Sequence, residues 1–306
     1  MLSSEFPLMS LRLFFSLLCV LTVSPLVAGD WTQWRGNNRD GVAVDSPAMI
    51  SALPESGLKP AWRSEPIGSG KNEGGWGSPV VVHFDGEAGQ RVYLFTHKRI
   101  KLRDVPKKKF PWLAPDKRVG MTEKEYQEYE VKRRDEDEFI AKSYAFRETV
   151  YCLNGANGET IWKNESDSHY TRFPQSGSPT VVDGKLYILG AGRNVRCIDA
   201  LSGKDVWTVK LTGDFRDEFW QSCFVVEDGL AVCLCGRLIA LDIKDGSLVW
   251  EGDPNKTNGS HASPVLWKND GASYIVSNVG RGETACFELK TGTEVWRVKS
   301  EAGVAT

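Results

Sequence analysis

Four histidines, at 83, 97, 169 and 261, and seven cysteines are the side chains best suited to hold a metal, attack a carbonyl or move a proton. Their spacing forms no CxxC, HExxH or CxxCH pattern, so no zinc or haem-attachment site is legible. No GxSxG is present to make a nucleophile elbow. Gly68-Ser69-Gly70-Lys71 is followed by Asn72 and lacks the first glycine of a phosphate-binding loop, so it reads as a Gly-rich linker. Each histidine could act as a base, and each reads more simply as an ordinary surface or strand residue. In SCFVVEDGLAVCLCG (222–236), a two-residue turn at Asp228-Gly229 puts Cys223 on one sheet face and Cys233 with Cys235 on the other. Small buried hydrophobes describe these thiols better than a disulfide does. Scattered Asp or Glu ligands leave weak traces in a sequence. Catalytic chemistry is therefore not spelled out locally.

The elements that would position such residues begin after an address. Arg12 precedes an uncharged run, LFFSLLCVLTVSPLVAG (13–29), with Pro25 near its end. A basic flank, a short apolar core and small residues before a cut describe a secretory signal peptide over 1–29. The mainly apolar part, Leu13–Val23, is eleven residues, whereas a spanning helix needs about twenty. Leu18 stands before Cys19, where a lipid-attachment motif wants Gly or Ala. The expected product is an exported chain, periplasmic or extracellular, with no transmembrane span left after signal removal. With 38 Lys+Arg against 40 Asp+Glu, its net charge of −2 gives no general attraction to nucleic acid. The composition, 41% apolar and 25% charged, is that of a folded domain.

A repeat organises residues 30–306. CLNGANGETIW (152–162), CIDALSGKDVW (197–207), ALDIKDGSLVW (240–250) and CFELKTGTEVW (286–296) share Cys or Ala first, Gly seventh and Trp eleventh. The tryptophans at 162, 207, 250 and 296 are spaced by 45, 43 and 46 residues, a period of propellers or solenoids. Within one period, Thr180–Val182 and Lys185–Gly190 flank Asp183-Gly184, and Asn194–Asp199 and Asp205–Leu211 flank Ser202-Gly203. Four short antiparallel strands per repeat make a propeller blade. The start recurs as Gly77-Ser78-Pro79, Gly177-Ser178-Pro179 and Ala262-Ser263-Pro264, degraded to Gln221-Ser222-Cys223 in the third copy. The expected fold is all-β, with blade 1 at about 76–166, blade 2 at 176–211, blade 3 at 221–253 and blade 4 at 261–300. Lys59-Pro60-Ala61-Trp62-Arg63-Ser64 reads as an orphan final strand, so an incomplete ring is expected. Gly158, Gly203, Gly246 and Gly292 sit in the turn before each last strand. Trp162, Trp207, Trp250, Trp296 and Trp62 are expected to dock neighbouring blades rather than to stack a ligand.

These eleven residues resemble the tryptophan-docking motif of the pyrroloquinoline-quinone (PQQ) repeat, A-x-D-x-x-T-G-x-x-x-W. Cys197-Asp199-Ser202-Gly203-Trp207 and Ala240-Asp242-Asp245-Gly246-Trp250 match it best. The opening DWTQWRGNNRDGV (30–42) is similar to the start of a family of exported PQQ-repeat-like proteins, W-x-x-W/F-R-G-x-N-x-x-G. The resemblance implies a PQQ-like β-propeller. It points to two functions, because such propellers include quinoprotein dehydrogenases and cofactor-free scaffolds such as the lipoprotein of the outer-membrane β-barrel assembly machinery. A dehydrogenase of this kind implies PQQ with Ca²⁺, a vicinal Cys pair, carboxylate and amide ligands and a catalytic Asp. No adjacent cysteines exist here, so the expectation is no cofactor, with PQQ and Ca²⁺ as the alternative.

One insertion departs from the repeat. Ser78 lies 84 residues before Trp162, against 29 for Ser178 and Trp207. Residues 98–148 hold 15 Lys+Arg and 11 Asp+Glu, and 98–118 alone carries nine basic and two acidic residues. Thr122-x-x-Glu125 reads as a capping box opening a helix. Glu128/Lys132, Glu130/Arg134 and Glu138/Lys142 are spaced for surface pairs, and Tyr126, Tyr129, Phe139 and Ile140 supply a narrow apolar side. Lys107, Lys108, Lys109, Phe110 and Trp112 form the candidate interaction surface, weighed against a solvated excursion. The expected function is a non-enzymatic binding or scaffolding module for a protein or envelope component, with oligomers if the ring is incomplete. A PQQ-dependent oxidoreductase, or a divergent relic of one, is the alternative.

Overall fold

Alternating apolar residues and two-residue turns give each repeat four strands, and the computed structural model describes residues 29–300 apart from 69–72, 76, 88, 172–176, 214–221, 260 and 281. The signal segment, Ser69–Lys71 and Gln221 lie outside the described residues. Blade 1 comprises β1 (Val80–His83), β2 (Gln90–Lys101), β3 (Tyr144–Asn154) and β4 (Thr160–Asp167). Blade 2 comprises β5 (Thr180–Val182), β6 (Lys185–Leu189), β7 (Asn194–Asp199) and β8 (Asp205–Lys210). Blade 3 is β9 (Val225–Glu227), β10 (Leu230–Leu234), β11 (Leu238–Asp242) and β12 (Leu248–Glu251). Blade 4 is β13 (Val265–Asn269), β14 (Ala272–Val279), β15 (Glu283–Glu288) and β16 (Glu294–Lys299). Every blade is an antiparallel meander with strands in chain order.

The turns follow from residue type. Asp183-Gly184, Asp228-Gly229 and Asp270-Gly271 all have positive φ at both positions, the geometry that suits the right-handed twist of a tight hairpin. Each third–fourth strand ladder carries a register shift just after the first motif residue, at Cys152, Cys197, Ala240 and Cys286. That shift pairs the first motif residue with the tryptophan: Cys152 with Trp162, Cys197 with Trp207, Ala240 with Trp250, Cys286 with Trp296. A small first residue leaves room beside the indole. Three apolar cores lie between successive blades. Tyr187, Val195 and Trp207 meet Phe224, Cys233 and Ile239 between blades 2 and 3. Six cysteines are buried free thiols.

Two sequence expectations change. Residues 59–64 are not in a strand; without three companion strands the segment has no ladder to join. The insertion is also shorter than 98–148. Strands β2 and β3 stay paired from Arg91–Asn154 out to Lys101–Tyr144, because alternating residues continue the ladder beyond the blade. Arg99 lies over the Tyr144 ring and His97 stacks on Phe146, which holds the extension together. Only residues 102–143 leave the sheet, and they form an arm around helix α1 (Glu123–Ala141). The capping box is present, with the Glu125 amide donating to Thr122 Oγ1 and the Thr122 amide to Glu125 Oε2.

Candidate functional site

Each docking tryptophan lies on the motif glycine of the following blade. The four glycines have φ between +69° and +76°, and a Cβ at any of them would overlap that ring. Trp162 covers Gly203, Trp207 covers Gly246 and Trp250 covers Gly292. Trp62 covers Gly158 although it lies outside any strand. Each indole N–H donates to the carbonyl at the fourth motif position: Trp62 to Gly155 (2.7 Å), Trp162 to Ala200 (3.3 Å), Trp207 to Ile243 (2.9 Å) and Trp250 to Leu289 (2.8 Å). Trp296 is 36% exposed, and the blade 1 glycine is already taken by Trp62.

The repeated Gly-Ser-Pro start makes the inner contact between blades. The amide of Ser78 donates to Ser178 Oγ (2.8 Å), and that of Cys223 to Ser263 Oγ (3.0 Å). Residues 30–42 run across the innermost strands of all four blades. Trp31 exchanges both backbone bonds with Val81 of β1, and the Thr32 carbonyl accepts from Val181 of β5. Arg39 then inserts between blades 3 and 4, donating to the carbonyls of Phe224 and Pro264 and, from Nε, to Gln33. Burial lowers its guanidinium pKa to about 10. Sequence reading missed Arg39, because it falls at an unspecified position of the opening motif. Beside it lies a cavity of about 500 Å³, walled by Thr32, Asn37 and Asn38 on one side and by Val226, Leu266 and Lys268 on the other.

The arm is built on charge rather than on its aromatic side. Arg133 and Asp137 are the buried helix residues with Ala141, while Phe139 is 58% exposed. The Arg133 guanidinium is compensated where it leaves water by the Glu130 and Asp137 carboxylates, and removing either partner would leave a buried charge unpaired. Arg133 bonds Glu130 and Asp137, and Glu128 lies 4.0 Å from Lys124. Lys108 bonds Asp137, and Glu136 accepts the amides of Lys109 and Phe110. Phe110 meets Tyr129 edge-on, and the Tyr129 hydroxyl donates to Pro111. Lys108 is thus spent inside the arm, whereas Lys107 and Lys109 are exposed. Trp112 is 60% exposed under the Arg118 guanidinium, and Val119 is 85% exposed.

Where the arm leaves the blade, Glu148 and His97 face each other across β2 and β3, and both are buried. Glu148 Oε1 accepts the Ala191 amide of blade 2 at 2.6 Å. Burial pushes its carboxyl up to about 7 despite that bond and nearby Ser168 and Arg196. Burial lowers the His97 imidazole to about 4, opposed by its bond to the His169 carbonyl. Glu148 thus ties β3 of blade 1 to blade 2.

PQQ with Ca²⁺ would need the cysteine pair and the oxygen ligands together. Cys233 and Cys235 are instead sealed in the core between blades 2 and 3, and burial pushes the Cys233 thiol well up. Among the described residues no three His, Cys, Asp or Glu side chains gather to hold a metal. The described residues do not fit that group.

Stacked four-stranded blades, locked by tryptophan on glycine, define a β-propeller built of PQQ-type repeats. The chain belongs to the PQQ_2 family, described as outer membrane protein assembly factor BamB, whose model matches residues 147–302. Among curated relatives, a quinohemoprotein alcohol dehydrogenase of Comamonas testosteroni is 32% identical, over 52% of this chain and 25% of its own. The dehydrogenase subunit of a quinone alcohol dehydrogenase from Gluconobacter oxydans is 29% identical, over 52% of this chain and 24% of its own. The chain therefore spans about a quarter of the length of these relatives. Among solved structures, BamB from Moraxella catarrhalis is similar at 15% identity and a TM-score of 0.39, covering 52% of this chain and 48% of that one.

Proposed function

We propose that the chain is an exported, non-enzymatic propeller module that binds a protein or another envelope component through its arm. The observation that carries this reading is the arm's construction. Glu136 and Asp137 hold the 108–110 backbone and side chain rigidly on the helix, yet Trp112 and Val119 stay exposed. A pre-ordered loop with an exposed aromatic and free lysines loses little entropy on binding, and aromatic anchors dominate interface energies. Lys107 and Lys109 would meet an acidic rim on the partner. Export is supported by the leader-like sequence and by the family's description as an outer-membrane assembly factor. No helix among the described residues is long and apolar enough to cross a membrane. The oxidoreductase alternative is supported by the partial relatives and opposed by the misfit of the donor set.

The test is recovery of a partner from envelope extracts on immobilised chain. A Lys107→Glu, Lys109→Glu, Trp112→Ala variant should lose that partner while keeping the parental unfolding temperature. Undiminished recovery of the same partner would overturn the assignment to the arm.

A further inference from the structure

The innermost strand of each blade turns one backbone edge toward the axis, at Val81, Val181, Val226 and Leu266, which are equivalent positions in the four repeats. The chain's own segment 31–32 satisfies the first two. Val81 exchanges two bonds with Trp31 (2.8 and 2.9 Å), and the Val181 amide donates to Thr32 at 2.9 Å. After Thr32 the segment turns away, since Asn37 Oδ1 accepts the Thr32 amide (3.0 Å) and hydroxyl (3.1 Å) and folds the chain back. Arg39 then reaches blades 3 and 4, but at the carbonyls of Phe224 and Pro264, one strand position pair earlier. Among the described residues, Val226 and Leu266 have no backbone partner on the axial side. Both line the 500 Å³ cavity. Unpaired strand edges beside a cavity are templates for another strand.

We propose that this axial groove binds an extended peptide segment, which continues along β9 and β13 the edge pairing that residues 31–32 make along β1 and β5. Main-chain bonds to Val226 and Leu266 supply affinity, as in strand addition to a sheet edge. Alternate side chains of the peptide point to the wall of Val182, Val226 and Leu266 on one side and toward Asn37 and Asn38 on the other. The Lys268–Glu227 pair at the groove's rim is internally neutralised at 2.8 Å, and the Arg39 guanidinium in its wall is buried and spent on the Phe224 and Pro264 carbonyls and on Gln33. An uncharged segment of alternating small apolar and hydroxyl residues therefore fits best. This site is separate from the arm and does not depend on it.

The probe is an end-blocked six-residue peptide alternating threonine and valine, added to the full chain. Slowed hydrogen exchange at the Val226 and Leu266 amides is expected, with no change at Val81, which is already paired. Methylating alternate peptide nitrogens preserves the side chains and removes main-chain donors, and should weaken binding about tenfold or more. Val226→Pro and Leu266→Pro each delete an amide that no blade bond uses and should weaken binding similarly; because both side chains also pack on the cores between blades, the loss is read at a temperature where each variant is folded. No protection at millimolar peptide, or equal binding of the methylated peptide, would overturn the proposal. Protection confined to the arm would assign peptide binding elsewhere and overturn it equally.

Discussion

An indole lying flat on a glycine leaves a void between blades when it is removed. Trp207 is the most enclosed of the docking residues, touching Tyr187 and bonding Ile243. Trp207→Ala should cost about 3–5 kcal/mol, the range for large aromatic truncations in cores. A denaturant midpoint equal to the parent would contradict the docking role. Glu148 gives a pH signature of known sign. Its folded pKa of about 7 lies above the ordinary carboxylate value, so its contribution is present at low pH and is lost as pH rises through 7. Glu148→Gln should therefore gain stability relative to the parent as pH rises from the ordinary carboxyl value of 4.5 to about 7. Thermal unfolding of both proteins across that interval measures it. Identical pH slopes would show that the carboxyl is not held neutral.

At the level of elements, the arm was half legible. Thr122 and Glu125 marked the start of α1, and the helix begins there. Its packing side was not legible, because apolar spacing singled out Tyr126, Tyr129 and Phe139 while the buried face is Arg133 and Asp137. Charged residues on a helix read as solvated unless their partners are known, and here Lys108 arrives from 25 residues earlier than Arg133. The extension of β2 and β3 was hidden for a related reason: Lys98–Lys101 carries three charges in four residues and reads as excursion, although Tyr144–Arg147 opposite it carries only Arg147. Asp137→Ala should leave Arg133 and Lys108 without their shared carboxylate, costing the arm about 3 kcal/mol. Faster hydrogen exchange along α1 with unaltered exchange in blades 2–4 is the expected result. Loss of protection throughout would mean that the arm and blades unfold together.

Across the whole molecule, the repeat was readable because each blade solves the same problem with the same residues. A small residue sits beside the indole, a glycine receives the neighbouring ring, and in blades 2 to 4 an Asp-Gly turn closes the first hairpin. What crosses the repeats was not readable, since no periodic signal marks a segment that touches every blade once. Arg39 is the clearest case, tying residues 30–42 to blades 3 and 4. Arg39→Lys keeps the charge but loses the fork that reaches both carbonyls, and should cost about 1.5–3 kcal/mol. An unfolding temperature matching the parent would rule out that tie.

The central claim, a binding module rather than a quinoprotein oxidoreductase, is most directly tested by titrating the purified chain with PQQ in the presence of Ca²⁺. Absorbance and intact mass should remain those of the separate components, with no dye-linked alcohol oxidation. Stoichiometric uptake of PQQ that requires Ca²⁺ would contradict the claim and establish the oxidoreductase reading.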